Sequence, residues 1–302
     1  MTSQTNHLHP IPVTYIDGSQ YGGSTLIGTA GVDVITAFGY NNTIIDTLGE
    51  AVIFAGEGNA TVHLGNFDAD VNLLGYSNLV TGGNGNDAVA GSFGNSSITL
   101  GNGNDFVSAG GYSNFISLGN GNDLIDAGLG NSTIKVGNGN NTIKIGGYSN
   151  KITVGNGNDV VNAGAGQDTV VAGTGADHIY LAGWGNNVTV GAGSALFIQG
   201  GLGNDTISLF GNRDTALALG GQNEHINIGS NQDVVQIFAF AQSDVVDLLN
   251  GVGGYTSVGQ ILGALETDNA GGTMLSLGHN KGSIDFVGVT SSQLSASNFA
   301  IG

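Results

Sequence analysis

Valine and isoleucine return along this chain at a fixed step. Val80, Ile98, Ile116, Ile134, Ile152, Val170 and Val188 are 18 residues apart without a slip, and Val89, Val107, Ile125, Ile143, Val161 and Ile179 keep the same step, offset by nine. Two positions on lie further apolar rows: Leu100, Leu118, Val136, Val154 and Val190, and Ala109, Ala127, Ile145, Ala163 and Leu181. Two apolar positions separated by an outward one mark a strand with one buried face, and the β-branched residues that dominate them suit a strand. A glycine-rich turn precedes each strand, so the unit is a nonapeptide and two units close one coil. The pattern predicts an all-β fold, a parallel β-roll or β-solenoid of 18-residue coils. Identical inward positions would pile into aliphatic ladders about 4.8 Å apart.

The same pattern sets the organisation. Residues 21–238 are read as the solenoid, about twelve coils and roughly 55–60 Å long at that spacing. The step is constant from about residue 80 to 190 and degraded before it, as in "GTAGVDVIT" and "GEGNATVHL". Later it slips, with one extra residue near Ser194–Gly200 and further irregularity around Phe210–Arg213. Residues 1–20 form an N-terminal strand or arm and residues 239–302 a small C-terminal cap. In that cap "SVGQILGALETD" reads as a short helix, and "GTMLSLG" and "GSIDFVG" as a hairpin pair. Open solenoid ends invite pairing with other chains. The apolar "HPIPVTYI" either covers its own first coil or docks onto another subunit.

The turns carry the chemistry. GNGND begins at Gly101 and again at Gly119, and GNGNN at Gly137. One corner of the coil thereby collects Asp87, Asp105, Asp123, Asn141, Asp159 and Asp177. The glycines two apart (Gly83 and Gly85, Gly101 and Gly103, Gly119 and Gly121, Gly155 and Gly157) are expected to take positive φ and turn their carbonyls toward one point. Unpaired carboxylates stacked about 4.8 Å apart repel. A hard divalent cation between coils removes the conflict, and Ca²⁺ suits a mixture of carboxylate and carbonyl oxygens better than the strictly octahedral Mg²⁺. The other corner reads Asn114, Ser132, Asn150, Asp168 and Asn186, mostly neutral, and is expected to be metal-free over most of its length. Calcium is also expected to be weak or absent at Asn141, where Lys135, Lys144 and Lys151 cluster.

"GGNGNDAVA" (Gly82–Ala90) and "GGLGNDTIS" (Gly200–Ser208, with Asp205) resemble the glycine- and aspartate-rich nonapeptide of the repeats-in-toxin (RTX), or hemolysin-type calcium-binding, proteins. Looser copies include "LGNGNDFVS", "LGNGNDLID", "VGNGNDVVN", "AGAGQDTVV", which holds Asp168, and "AGTGADHIY". The resemblance covers residues 80–238 well and 21–79 weakly. It implies a roll that folds on calcium, and export by type I secretion machinery reading an uncleaved C-terminal signal. The segment from Asp244 to the C-terminus resembles the same region of many such secreted proteins. The N-terminus, with neither a basic nor an apolar region, does not read as a signal peptide.

Composition narrows the partners. With 23 carboxylates against five Lys and Arg, the formal net charge is -18, which points away from nucleic acid and toward cations. No apolar run reaches the roughly 18 residues of a membrane-spanning helix, and the absence of Cys removes disulfides and thiolate metal sites. The six His residues show no HExxH spacing and no GxSxG is present. No catalysis is expected, and the 20 or so residues before the solenoid are too few for an enzyme domain. Tyr40, Tyr76, Tyr112, Tyr148 and Trp184 are spaced by 36 residues, on the neutral corner of every second coil. They read as covers for the corner or as an aromatic stripe for a partner. The exposed rows Asn84 to Asn156 and Asn86 to Asn158 read as turn residues or as an ice-binding array. These features together describe an extracellular, calcium-dependent structural protein that polymerises with itself. The alternative is an adhesin that holds glycan or ice on the Tyr/Trp stripe or the Asn arrays.

Overall fold

A computed structural model of the chain describes residues 12–191, 196–211, 214–278 and 282–302. The chain alternates between two sheets, laying one short strand in each per coil. One sheet has 16 strands and the other 14, and successive coils pair in parallel along both. This is the β-solenoid that the spacing predicts. Val80, Ile98, Ile116, Ile134, Ile152, Val170 and Val188 are all fully buried, and so is the facing ladder from Val89 to Ile179. The core is a sandwich of two aliphatic ladders running the length of the stack. Each side chain in it packs against its own counterpart one coil above and below.

The register reports where the repeat breaks. Phe106 sits over Ala88 and Leu124 over Phe106, each 18 residues on. The step is already 18 before residue 80, since Thr43 pairs with Thr25 and Thr61 with Thr43. The early coils are therefore regular in geometry although their turn sequences are degraded. Farther on, Phe197 pairs with His178 and His225 with Thr206, steps of 19 that span residues 194 and 213, and Val245 pairs with His225, a step of 20. The insertions near 194 and 213 involve residues outside those described, but the pairing on either side shows that each lengthens the coil without interrupting the sheets.

At both described ends the chain's own strands continue the sheets. The strand Val13–Asp17 pairs in parallel with Val32–Thr36, so the described part of the N-terminal arm covers its own first coil. The earlier residues of that arm, 1–11, lie outside the description. At the other end Val245–Leu248, Ser283–Val287 and Phe299–Ile301 continue the two sheets. Thr273–Ser276 folds back antiparallel on Ser283–Val287, the hairpin expected from the sequence. The expected helix is shorter than its sequence window. It spans Val258–Gly263, capped by Ser257, and the next residues form the strand Leu265–Thr267, paired with Thr273–Ser276. That pairing satisfies backbone groups a longer helix would leave on the open face. Phe286 is fully buried at this end, edge-on to Phe240 and Phe299 at 5.1 and 5.9 Å. No helix among the described residues is long and apolar enough to cross a membrane.

Because each ladder residue touches its own kind on both sides, a cavity there cannot be refilled from solvent-facing positions. Ile134→Ala, between Ile116 and Ile152, is expected to cost about 2–5 kcal/mol. Urea denaturation followed by circular dichroism checks this.

Candidate metal centre

At the first corner the predicted residues do stack. Asp87, Asp105, Asp123, Asn141, Asp159 and Asp177 are each at most 2% exposed and point inward. The backbone ladder is interrupted here, and side chains complete it. The N–H of Asp87 donates to Oδ1 of Asp105 at 2.9 Å, that of Asp105 to Oδ1 of Asp123 at 3.0 Å, and that of Asp123 to Oδ1 of Asn141 at 3.1 Å. The row continues through Asp159 to Asp177. Outside it run two amide ladders. Asn102 donates from its backbone and side chain to Oδ1 of Asn84, Asn120 does so to Asn102, and Asn104 donates from its backbone to Asn86. The acceptor oxygens of these Asn arrays are thus engaged between coils.

The glycines act differently from the expectation. Of the eight named in the sequence, only Gly121 and Gly157 take positive φ. Their common feature is close stacking. A Cβ at Gly103 would lie 2.0 Å from the Gly85 carbonyl oxygen of the coil below, and one at Gly101 would lie 2.0 Å from that of Gly83. The carbonyls point along the stack toward the next coil, and only glycine lets that coil come so near.

The second corner forms a parallel ladder of its own. The N–H of Asn78 donates to Ser96, Ser96 to Asn114, Asn114 to Ser132, and Ser132 to Asn150. It then runs through Asp168, Asn186 and Asp205 to Glu224 and Asp244. The structure therefore places Asp168 and Asp205 apart from the other five aspartates. It also adds Glu224 and Asp244, which sequence reading missed. "GGQNEHINI" (220–228) keeps the glycines and puts Glu where Asp is usual, whereas Asp244 stands in "AQSDVVDLL" (241–249) with no glycine to mark it.

What the corners can hold is shown by the coils that carry Asn. The Asn141 Nδ2 donates to the carbonyls of Gly137 and Gly139, at 3.4 and 3.2 Å, and to Oδ1 of Asp159 at 2.9 Å. Asn150 and Asn186 do the same for Gly146 and Asp168, and for Ala182 and Asp205. Each amide group is a donor, partly positive, among oxygens. In the Asp coils an oxygen takes its place. Oδ2 of Asp87, Asp105, Asp123 and Asp159 is buried with no hydrogen-bond partner. Burial, reinforced by the Asp105 and Asp68 charges, pushes Asp87 up to about 7. Burial, with the Asp123 and Asp68 charges, pushes Asp105 up to about 6. Asp159 is pushed up to about 6 by burial, and Glu224 up to about 7 by burial and then by Asp205. Orphaned oxygens facing oxygens fit a hard cation such as Ca²⁺, which takes carboxylate and carbonyl donors. Among the described residues no three His, Cys, Asp or Glu side chains converge on one point, so backbone oxygens would have to complete any shell. The Asn141 amide fills its own corner, and Lys144 of the nearby cluster pairs with Asp126 at 3.8 Å on the surface.

A family model of the RTX calcium-binding nonapeptide repeat, in four copies, matches residues 74–98, 81–116, 99–134, 145–179 and 197–224. Those ranges contain every Asp of the two corners from Asp87 to Asp205. No curated protein and no solved structure matches the chain.

Two outcomes follow from the orphaned oxygens. The corner carboxylates bind protons more tightly in the fold than in the unfolded chain. Their favourable contribution is complete below the ordinary carboxylate range and is lost as pH rises through about 6–7. Without calcium, the melting temperature is therefore expected to rise on acidification from about pH 8 to about pH 5. With saturating calcium, which needs the charged form, the same change is expected to lower it; calorimetry in chelator and in calcium reads both. Asn141→Asp replaces a satisfied amide with a second orphaned oxygen. It is expected to lower the melting temperature in chelator and to add one bound ion at saturating calcium, counted by equilibrium dialysis.

Proposed function

With RTX calcium-binding nonapeptide repeats running through residues 74–224, we propose that this chain is a secreted, calcium-dependent structural protein that assembles with copies of itself into an extracellular fibre, surface layer or matrix. Calcium, when bound, supplies the positive charge that the corners lack. Asp87, Asp105, Asp123, Asp159 and Asp177 would hold it at the first corner, with carbonyls such as those of Gly101 and Gly103, and Asp168 and Asp205 at the second. Where calcium is scarce, as in the cytosol, carboxylate repulsion keeps the chain loose enough for type I export. Outside the cell, binding energy becomes folding energy. In this reading residues 1–20 are an arm, 21–238 the assembling body, and 239–302 a cap and export signal. No residue is given a catalytic role.

The observation that carries self-assembly is the apolar edge along the second corner. Tyr40, Tyr76, Tyr112, Tyr148 and Trp184 are each 51–59% exposed. Gly94, Gly130, Gly166 and Gly203 stand on the intervening coils, bridged to these rings' backbones. Phe93, Leu129 and Leu202 add exposed apolar surface beside them. Large and small residues thus alternate along one edge with a period of two coils, about 9.6 Å. Such a row is complementary to itself. Displaced by one coil, the rings of one copy face the glycines of another, and apolar surface leaves water. The adhesin reading rests on an open groove of about 530 Å³ between Tyr40, Leu74, Tyr76 and Phe93, with Glu57 at its wall. Aromatic faces beside a carboxylate suit a sugar.

Electron microscopy with light scattering, in calcium and in excess chelator, tests the choice. Ordered filaments or sheets are expected only with calcium, and are expected to be lost in a folded Tyr112→Ser, Tyr148→Ser, Trp184→Ser variant. A folded wild-type monomer that never assembles but is retained by polysaccharide would transfer the assignment to the adhesin.

A further inference from the structure

The first two coils break the pattern in a way that the repeats do not explain. In the regular stack the inward position just before the first corner is aliphatic, as at Leu64, Leu100, Leu118, Val136 and Val154. In the second coil that position is Asp46, 1% exposed and paired one coil on with Leu64. Beneath it stands Gly28, where a Cβ would lie only 2.4 Å from Cγ of Asp46. The carboxyl group occupies the volume that the missing side chain vacates, and so reaches into the corner of the first coil.

Another carboxylate is already there. Asp33 is fully buried, and it accepts hydrogen bonds from the N–H and Oγ1 of Thr29 at 2.5 and 2.9 Å. Asp33 lies against Asp46 and is its strongest charged neighbour. Neither oxygen of Asp46 meets a donor at full hydrogen-bond geometry; the amides of Leu48 and Gly49 and the carboxyl of Asp33 are its polar neighbours. At the turn position where later coils place their aspartates, the second coil has Ala51 and the third Ala69. Farther along, adjacent turn residues such as Asp87 and Asp105 flank the space between two coils. Here one carboxylate comes from a turn, and the second comes from a strand position five residues before the alanine.

Two buried carboxylates in contact, one of them with neither oxygen fully paired, repel unless a cation stands between them or a proton is shared. We propose that Asp33 and Asp46 hold a calcium ion between the first two coils, at a site outside residues 74–224 built from one turn and one strand residue. It would fasten the coil on which the N-terminal strand Val13–Asp17 is laid. The site stands apart from the turn calcium of the repeats and does not depend on it.

Equilibrium dialysis at saturating calcium tests it on the full chain, comparing wild type with Asp46→Asn, Asp46→Leu and, as a control on the repeat corner, Asp105→Asn. Asp46→Leu restores the aliphatic row and guards against failure to fold. Both Asp46 variants are expected to bind one ion fewer than wild type. They are also expected to lose the calcium-dependent protection of amides in residues 25–55, read by hydrogen exchange. Asp46 variants that keep the wild-type ion count while Asp105→Asn loses ions would overturn this site and leave the repeat corners standing. A wild-type chain that binds no calcium would overturn both.

Discussion

The stack is held in register at its corners by a backbone N–H that finds no carbonyl. A side-chain oxygen one coil on meets it, from Asp105 for Asp87 and from Asn114 for Ser96. This requirement explains why most of the corner positions hold Asp, Asn or Ser: each presents a short acceptor at an inward position. The remaining atom of that side chain then decides the chemistry. An amide nitrogen, as in Asn141, donates to the corner carbonyls and completes the network. At Asp87, Asp105, Asp123 and Asp159 a second carboxylate oxygen meets the same surroundings without a donor, where low dielectric makes the conflict costly, whereas Oδ2 of Asp205 accepts from the N–H of Gly201 at 2.9 Å. At the first corner, Asp against Asn therefore separates a coil that closes by itself from one that closes on a cation.

The formal charge of -18 misdescribes the surface for the same reason. Among the described residues, 12 Asp and Glu side chains, from Asp33 to Asp244, are buried, out of 23 in the chain. About half of the negative charge sits inside the corners, where cations or protons neutralise it, while the strand faces carry exposed charges such as Asp70 and the Asp126–Lys144 pair. The two edges differ in kind. The first is lined by amide ladders whose acceptors are engaged, and the second by exposed rings alternating with glycine. Charge repulsion is thus concentrated where metal removes it, and the apolar edge is left free to meet a partner.

The solenoid was legible because its signal is additive: a ladder of Val and Ile repeated at a constant step outweighs any single turn. The corner aspartates were legible for the same reason. Glu224 and Asp244 were not, because the coil there lengthens to 19 and 20 residues and no constant step points to them. Asp46 was hidden as a single departure within a degraded stretch, interpretable only once Gly28 is seen beneath it. The glycines stand at the turns, but six of the eight lack the positive φ expected of them, since a one-dimensional pattern shows a turn and not the carbonyl of the coil below. The strand Leu265–Thr267 was masked by the helix-compatible residues around it, and pairing with Thr273–Ser276 decided the outcome.

Outside the first corner the exposed amide ladders donate from each coil to the one before it, as Asn102 does to Asn84, and the buried corner residues donate the opposite way. In each bond of these inner ladders the N–H belongs to one coil and the side-chain oxygen to the coil that follows it, from Ser24 with Asn42 to Glu224 with Asp244. A coil without its successor is left with these buried donors unmet, and a coil without its predecessor leaves unmet the exposed amides of the Asn ladders and strand N–H groups such as that of Phe106, which donates to the carbonyl of Asp87. The two faces of the stack are therefore not equivalent. What covers the C-terminal face must supply side-chain oxygens to the corners, as Asp244 does for Glu224 where the repeat gives way to the cap.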